Sequence, residues 1–171
     1  MTPTAYQDCL DRIYKLGRFG IKLELTTIRN ILNLLNNPEK NYNIVHVAGT
    51  NGKGSTAAYV AAILRSAGFR TGVYTSPHLV RFNERMTVDG EEISNDDVVR
   101  SYEAVHRVDL GKRKATFFEI ATAMAFEYFA RQKVEWAVIE TGMGGRFDAT
   151  NIVTPRVSII TNLSIEHTDY L

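Results

Sequence analysis

The sequence predicts an α/β fold in which helices flank a mainly parallel sheet. Four short runs have the length and the β-branched or apolar composition of strands, and they lie at 44–47, 71–75, 136–139 and 157–160. The last two runs are almost wholly apolar, which is typical of central strands that helices cover on both faces. Helical segments separate the strands, so we expect βαβ units with parallel pairing and right-handed crossovers.

Helices are predicted where apolar residues recur at intervals of three and four. These segments lie at 4–16, 28–35, 57–64, 95–108 and 117–131. Two of them begin with a capping pattern, because Ser94 precedes one helix and Thr116 stands three residues before Glu119 ahead of the other. The Asp-Gly pair at 89–90 predicts a small hairpin over 84–94.

Length and composition predict one soluble globular domain. The 171 residues can bury one core, and 44% hydrophobic with 23% charged residues are ordinary globular values. Twenty basic and 19 acidic residues give a net charge of +1, so no broad field would attract nucleic acid or an anionic membrane. The sequence has neither a membrane-spanning apolar run nor a signal-like start, so we expect a cytoplasmic protein. The single cysteine, Cys9, is expected in the core because its neighbours show helical apolar spacing.

A glycine-rich loop with one lysine stands between the first strand and a helix. Its residues 49–55 read GTNGKGS, and such a loop aims backbone N–H groups and the positive helix end at one place, as a polyphosphate requires. The loop departs from the Walker A pattern at Val47, where glycine is expected, and at Gly54, where a hydroxyl is expected. A plain strand-to-helix turn would need one glycine and no exposed lysine, so we interpret the segment as a P-loop NTPase-like ATP site. The candidates for binding the phosphates are Gly49, Thr50, Asn51, Gly52, Lys53, Gly54, Ser55 and Thr56.

Polar residues follow three of the other strands and predict a metal site. Ser76 follows the second strand, Glu140 ends the third and His167 lies past the fourth. Since ligands bind beyond the carboxyl ends of parallel strands, these side chains should converge on the phosphates. Taken singly they are a turn residue, a strand-end carboxylate and a surface histidine, but jointly they suit a divalent ion, Mg²⁺ or Mn²⁺.

A second glycine-rich loop, at 142–151, comes directly after Glu140. Its glycines indicate that backbone passes close to another group. Either this loop packs tightly on the first one, or it leaves room for substrate, with Arg146 and Asp148 supplying opposite charges.

Four segments together resemble one known family. GTNGKGS at 49–55, YTSPHL at 74–79, ETGMGGRFDATN at 140–151 and TNLSIEH at 161–167 occur in this order. The chain is similar to folylpolyglutamate synthase/dihydrofolate synthase of the Mur ligase superfamily. The resemblance implies that residues 1–171 form a single ATP-binding domain of the Mur ligase central type, and that a C-terminal Rossmann-like ligase domain is absent. Glu166 stands where the family usually has aspartate, which changes reach but not charge.

The resemblance also implies a reaction and its residues. Family members use ATP and Mg²⁺ to join L-glutamate to dihydropteroate or a reduced folate through an acyl phosphate. Lys53, Glu140 and His167 would be catalytic, and Ser76, Glu140 and His167 would bind the metal. The residues that would line the substrate pocket are Thr116, Phe117, Phe118, Glu119, Phe147, Asp148 and Ala149.

Some of these residues have an alternative role. Glu119 could be only a capping-box residue and Phe118 only a core aromatic. Two other functions also remain open for the whole chain, namely a non-catalytic nucleotide-binding module and an unrelated P-loop NTPase. We expect the 171 residues alone to be inactive as a ligase.

Overall fold

The computed structural model describes residues 4–19, 24–111 and 113–164. Its α-helices are α1 (Ala5–Lys15), α2 (Thr26–Leu34), α3 (Lys53–Ser66), α4 (Asn95–His106) and α5 (Phe117–Arg131). Its strands are β1 (Asn43–Ala48), β2 (Thr71–Tyr74), β3 (Met86–Val88), β4 (Glu91–Glu92), β5 (Trp136–Glu140) and β6 (Val157–Ile160). All predicted helices and strands are present, and β3 and β4 form the predicted hairpin.

The strands form one mixed sheet in the order β4-β3-β2-β5-β1-β6. The pairs β2–β5, β5–β1 and β1–β6 are parallel, whereas β3 is antiparallel to its neighbours. The α/β fold with a mainly parallel sheet is therefore confirmed. β1 and β2 are parallel without being adjacent, because β5 lies between them.

Helices cover the two faces of the sheet unequally. The larger core lies between one face and α1, α2, α4 and α5. α3 packs on the other face, where Val45, Val47 and Val138 meet Ala57 and Ala61. This alternation along β1 follows from the two-residue period of a strand. Cys9 belongs to the larger core, as predicted, and burial raises its pKa to about 11.

One strand prediction was wrong. We expected the apolar run at 157–160 to be a central strand, but β6 pairs only with β1 among the described residues. Val157 is 48% exposed and Ile160 is 64% exposed. Apolar composition predicted a strand correctly, but it could not say whether neighbours lie on both sides.

The capping patterns are confirmed. The Ser94 hydroxyl accepts a hydrogen bond from the Asp97 amide at the start of α4. Thr116 and Glu119 form a reciprocal capping box at the start of α5. In the described part of the chain, no helix is long and apolar enough to cross a membrane.

Candidate functional site

Three strand ends bring the predicted phosphate and metal residues together at the carboxyl edge of the sheet. Glu140 is the last residue of β5, which lies between β1 and β2. One of its carboxylate oxygens accepts the Ser76 amide at 3.1 Å. Both oxygens lie 3.8 Å from the position that a Cβ atom would take on Gly54. The glycine loop, Ser76 and Glu140 therefore share one site, while His167 lies outside the described residues.

Glu140 is a buried carboxylate at the centre of this edge. It is 5% exposed. Burial raises its pKa, because a charge is poorly solvated there, and the Ser76 amide and the Lys53 ammonium oppose the rise. A bound cation would lower the cost of keeping this carboxylate ionised.

The first glycine loop leaves the N-terminus of α3 open. Gly52 occupies the N-cap position with a φ of +80°, and it provides no capping side chain. The first turn of α3 contains no acidic residue, unlike that of α4, which contains Asp96 and Asp97. Because the first amides of a helix have no partner within the helix, those of α3 remain available to an anion.

Lys53 lies at the same helix end. Its ammonium group donates to the backbone oxygen of Thr50 at 3.0 Å, and the side chain is partly buried. The ammonium therefore lies against the backbone of the glycine loop.

Residues after β6 hold the loop in place. The Asn162 backbone oxygen accepts from the Thr50 amide at 2.9 Å, and its side-chain oxygen accepts from the Asn51 amide at 2.8 Å. The Thr161 hydroxyl donates to the Asn51 oxygen at 2.7 Å. Gly49 lies against this segment with a φ of +130°, and a Cβ atom there would be 2.2 Å from the Thr161 hydroxyl oxygen. The sequence identified 161–167 as one of the four family-like segments. It did not show that Thr161 and Asn162 support the first glycine loop.

The second glycine loop is organised by one carboxylate. One Asp148 oxygen accepts the Gly142 and Met143 amides, each at 2.9 Å. The other accepts the Thr150 amide at 2.9 Å and the Thr150 hydroxyl at 2.6 Å. Asp148 is 7% exposed. These four hydrogen bonds identify it as the residue that shapes the loop.

A buried histidine links this loop to β1. His46 Nε2 lies 2.8 Å from the Thr150 hydroxyl, which itself donates to Asp148. The hydroxyl therefore accepts from His46, so Nε2 is assigned the proton. Burial lowers the pKa of His46, with Asp148 opposing the decrease. Sequence analysis missed His46, although a polar residue within the apolar run at 44–47 was a signal of such a partner.

The close approach of the second loop is to Phe118. A Cβ atom on Gly142 would lie 2.5 Å from Phe118 Cζ, so only glycine fits beside this ring. The Phe118 ring also lies 6.2 Å from that of Tyr74, between centroids. The start of α5 and the start of the second loop are therefore in contact.

The remaining predicted substrate residues differ in their exposure and in the contacts that they already make within the chain. One Glu119 oxygen accepts the Thr116 amide at 2.8 Å and its hydroxyl at 3.0 Å, which confirms the capping role of Glu119. Phe117 stacks on Tyr14 with centroids 5.8 Å apart. Phe147 is 49% exposed, whereas Ala149 is 6% exposed.

The donors at the carboxyl edge suit a hard cation. Mg²⁺ prefers oxygen ligands, and the Glu140 carboxylate and the Ser76 hydroxyl belong to that class. Within residues 4–19, 24–111 and 113–164, no group of three or more His, Cys, Asp or Glu residues is arranged to hold a metal. The complete metal set thus stays a prediction that depends on His167.

A groove of about 630 Å³ lies at the opposite, amino edge of the sheet. Residues that line it include Lys40, Asn43, Glu135 and Arg156, which precede or begin β1, β5 and β6. It contains none of the predicted site residues.

Comparison with known proteins gives a family and close structural neighbours. A model of the family described as Mur ligase middle domain matches residues 47–171. The dihydrofolate synthase/folylpolyglutamate synthase of Bacillus subtilis is 42% identical over 98% of this chain and 40% of its own length. A crystal structure of folylpolyglutamate synthase from Thermotoga maritima has a TM-score of 0.88 at 44% identity, covering 94% of this chain and 38% of that one. The Escherichia coli protein FolC, solved with DHPP and ADP, has a TM-score of 0.90 at 35% identity, covering 99% and 42%.

The chain thus spans about 40% of the length of the curated relative from Bacillus subtilis. The family match covers more than half of the chain and includes both glycine loops and Glu140. The chain therefore belongs to the Mur ligase middle domain family, and it is similar over nearly its whole length to folylpolyglutamate and dihydrofolate synthases.

Proposed function

We propose that the chain is the ATP-binding part of an ATP-dependent amide ligase that joins L-glutamate to dihydropteroate or a reduced folate. The observation that carries this proposal is the meeting of an uncapped, lysine-bearing glycine loop with the buried Glu140 carboxylate. The names of the similar proteins, and the ADP and DHPP bound to one of them, support the choice of substrates.

The reaction has two steps. A carboxylate oxygen of the pteroate or folate attacks the γ-phosphorus of ATP, the bond to ADP breaks, and an acyl phosphate forms. The glutamate amine then attacks the acyl carbon, the amide bond forms, phosphate leaves and the amine loses a proton. Phosphate is a far better leaving group than the oxygen of a free carboxylate, so phosphoryl transfer from ATP drives amide formation.

The groups of this chain would act mainly by stabilising the negative charge of the phosphates. The open amides at the start of α3 and the Lys53 ammonium would bind the β- and γ-phosphates and offset charge that develops during transfer. Gly49, Thr50 and Asn51 would keep these donors in place through their contacts with 161–162.

Ser76, Glu140 and His167 would hold Mg²⁺. When bound, the ion would screen the phosphate charge and orient the γ-phosphoryl group. Ser76 and Glu140 already share a hydrogen bond, so two of these three positions are fixed relative to each other before any ligand arrives.

The ring system of the substrate would lie between α5 and the second glycine loop. Phe118, Phe147 and Ala149 would contact it, and Phe117 would extend the aromatic surface. Thr116, one Glu119 oxygen and both Asp148 oxygens form the hydrogen bonds of the helix cap and the loop, so we propose that these residues position this pocket.

A nucleotide-binding module without turnover, which the sequence left open, is the second candidate, because the open amides of α3 and Lys53 would bind a nucleotide in either case. Membership of the Mur ligase family argues against an unrelated P-loop NTPase. The cytoplasmic location expected from the sequence stays a prediction.

The test measures ATP affinity of the 171 residues by calorimetry with Mg²⁺. Because these residues alone are expected to be inactive as a ligase, they are joined to the remaining length of the Bacillus subtilis relative for the second measurement. This measurement is phosphate release with dihydropteroate or folate, in the presence and absence of glutamate. A ligase releases phosphate only when glutamate and the folate substrate are both present. Retention of nucleotide without release indicates the binding module. Release without any folate indicates a simple NTPase, and no nucleotide affinity at all refutes the proposal.

A further inference from the structure

Arg85 is a buried arginine beside the candidate site. It ends the short 3-10 helix Phe82–Arg85 and is 6% exposed. Its backbone oxygen accepts the Thr75 amide at 3.0 Å, which places it next to the segment that holds Ser76. Its side chain therefore belongs to the carboxyl edge of the sheet, on the β2 side.

Among the residues that the structure describes, this guanidinium contacts neutral groups. Its Nε donates to His78 Nδ1 at 2.7 Å, and its Cζ lies 5.1 Å from the centroid of the Phe117 ring. Burial raises the pKa of Tyr74 to about 12, and the nearby Arg85 charge opposes that rise. Because His78 Nδ1 accepts the hydrogen bond from Arg85, this nitrogen carries no proton and the imidazole is neutral.

Arg131 provides a comparison, because it is a partly buried arginine whose charge is paired with carboxylates. Its side chain is 24% exposed and pairs with Asp97 at 2.7 Å and with Glu127 at 3.0 Å. Arg85 is more deeply buried, yet it forms no ion pair within the described residues. The carboxylate of Asp148, which also influences Tyr74, is already occupied by four hydrogen bonds.

An unpaired buried charge is expensive, and proteins normally pair it or bind a counter-ion. The guanidinium lies over the ring of Phe117, the first residue of α5. A buried arginine without an ion pair among the described residues, beside an aromatic ring, is a candidate for binding an anion.

We propose that Arg85 binds the carboxylate of an aromatic acid substrate. This inference rests on the proposed function and assigns a specificity-determining residue to its acceptor substrate. The geometry favours the carboxylate of an aromatic molecule, because the guanidinium lies over the Phe117 ring and this ring contacts Tyr14 and Phe82. The rings of Tyr14, which is 43% exposed, and Phe117 supply flat surfaces next to the charge.

The test compares pteroate with its carboxamide, which has the same rings and no negative charge. The wild-type protein should bind pteroate about 10- to 100-fold more tightly than the carboxamide, since one hydrogen-bonded ion pair is lost. Arg85→Met should bind the two compounds equally, and Arg85→Lys should recover part of the difference. ATP affinity should be unchanged in both variants.

Stability separates this role from a structural one. Because Met replaces an unpaired buried charge with an apolar chain of similar length, Arg85→Met should unfold at the same or a higher temperature. The matched control is Arg81→Met, at an exposed arginine four residues earlier that pairs with Glu92. This control should keep the wild-type preference for pteroate.

Three outcomes would overturn the inference. The first is a clear loss of thermal stability in Arg85→Met with an intact preference for pteroate, which would make Arg85 structural. The second is a ligand-free crystal structure in which Arg85 pairs with Glu166 or Asp169. The third is a wild-type protein that binds pteroate and its carboxamide equally, in which case pteroate binding would still support the proposed function. A wild-type protein that binds neither ATP nor pteroate would refute the proposed function itself.

Discussion

The two glycine-rich loops have similar composition but opposite hydrogen-bonding states. In the loop at 49–55, the amides at the start of α3 have no capping side chain, and the support comes from residues 161–162 outside the loop. In the loop at 142–151, Asp148 accepts four hydrogen bonds from within the loop itself. The first loop therefore has donors to offer a ligand, while the second is already folded around its own acceptor. A high glycine content indicates that backbone passes close to another group. Backbone amides without a partner indicate where a ligand can bind.

The largest effect is expected from Gly49→Ala. A Cβ atom would lie 2.2 Å from the Thr161 hydroxyl oxygen and 2.9 Å from the Asn162 backbone oxygen, at a φ of +130°. The loop must shift, so ATP affinity should fall about 100-fold or more through the loss of at least two charged hydrogen bonds. Calorimetry with MgATP measures this.

The control for that substitution is Gly145→Ala in the second loop, where a Cβ atom would meet nothing within 4 Å. It should leave ATP affinity unchanged. Equal losses in the two variants would contradict the distinction between the loops.

Lys53→Ala should produce the next largest effect. It removes one ammonium from the open helix end, so ATP affinity should fall about 10- to 100-fold while the unfolding temperature stays near that of the wild type. The matched control is Lys40→Ala, an exposed lysine at the amino edge of the sheet. Unchanged ATP affinity in Lys53→Ala would argue strongly against the phosphate site.

Asp148→Asn should reduce the stability of the protein and leave its ATP affinity nearly unchanged. An amide has one acceptor oxygen, so it cannot serve both the Gly142–Met143 amides and Thr150. The free energy of unfolding should fall by about 1–3 kcal/mol, measured by urea denaturation, with ATP affinity within about threefold of the wild type. A large loss of ATP affinity without a loss of stability would show that Asp148 acts on the nucleotide.

The smallest effect is a pH dependence through His46. Its pKa in the folded protein lies below the ordinary value of 6.5 because the side chain is buried. Between the two values the unfolded chain binds more protons, so stability is complete above pH 6.5 and decreases as the pH falls through this window. As the pH falls from 6.5 through this window, the unfolding temperature should decrease by about 2 °C.

His46→Gln should reduce this pH dependence, because glutamine can still donate to Thr150 but does not titrate. His78, whose pKa is also lowered, should account for the remainder. An unaltered pH profile in the His46→Gln, His78→Gln double variant would contradict this explanation.

The comparison of the loops also separates local from non-local information. The order of helices and strands, the capping box at Thr116 and the lysine-bearing glycine loop were all predicted from the sequence. Each depends on residues within a few positions of one another, where periodicity, capping and backbone freedom act directly. The common location of the loop, Ser76 and Glu140 was predicted from one general rule on parallel strands.

Other features depended on pairing between distant segments. The sequence does not state that β5 inserts between β1 and β2, nor that β6 is exposed at an edge, because several strand orders satisfy the same local patterns. The tertiary structure alone placed His46 against Thr150 and showed that Asp148 shapes the second loop. It also left Arg85 without a carboxylate partner in the described residues, and sequence cannot show this because an ion pair depends on which surfaces meet after folding.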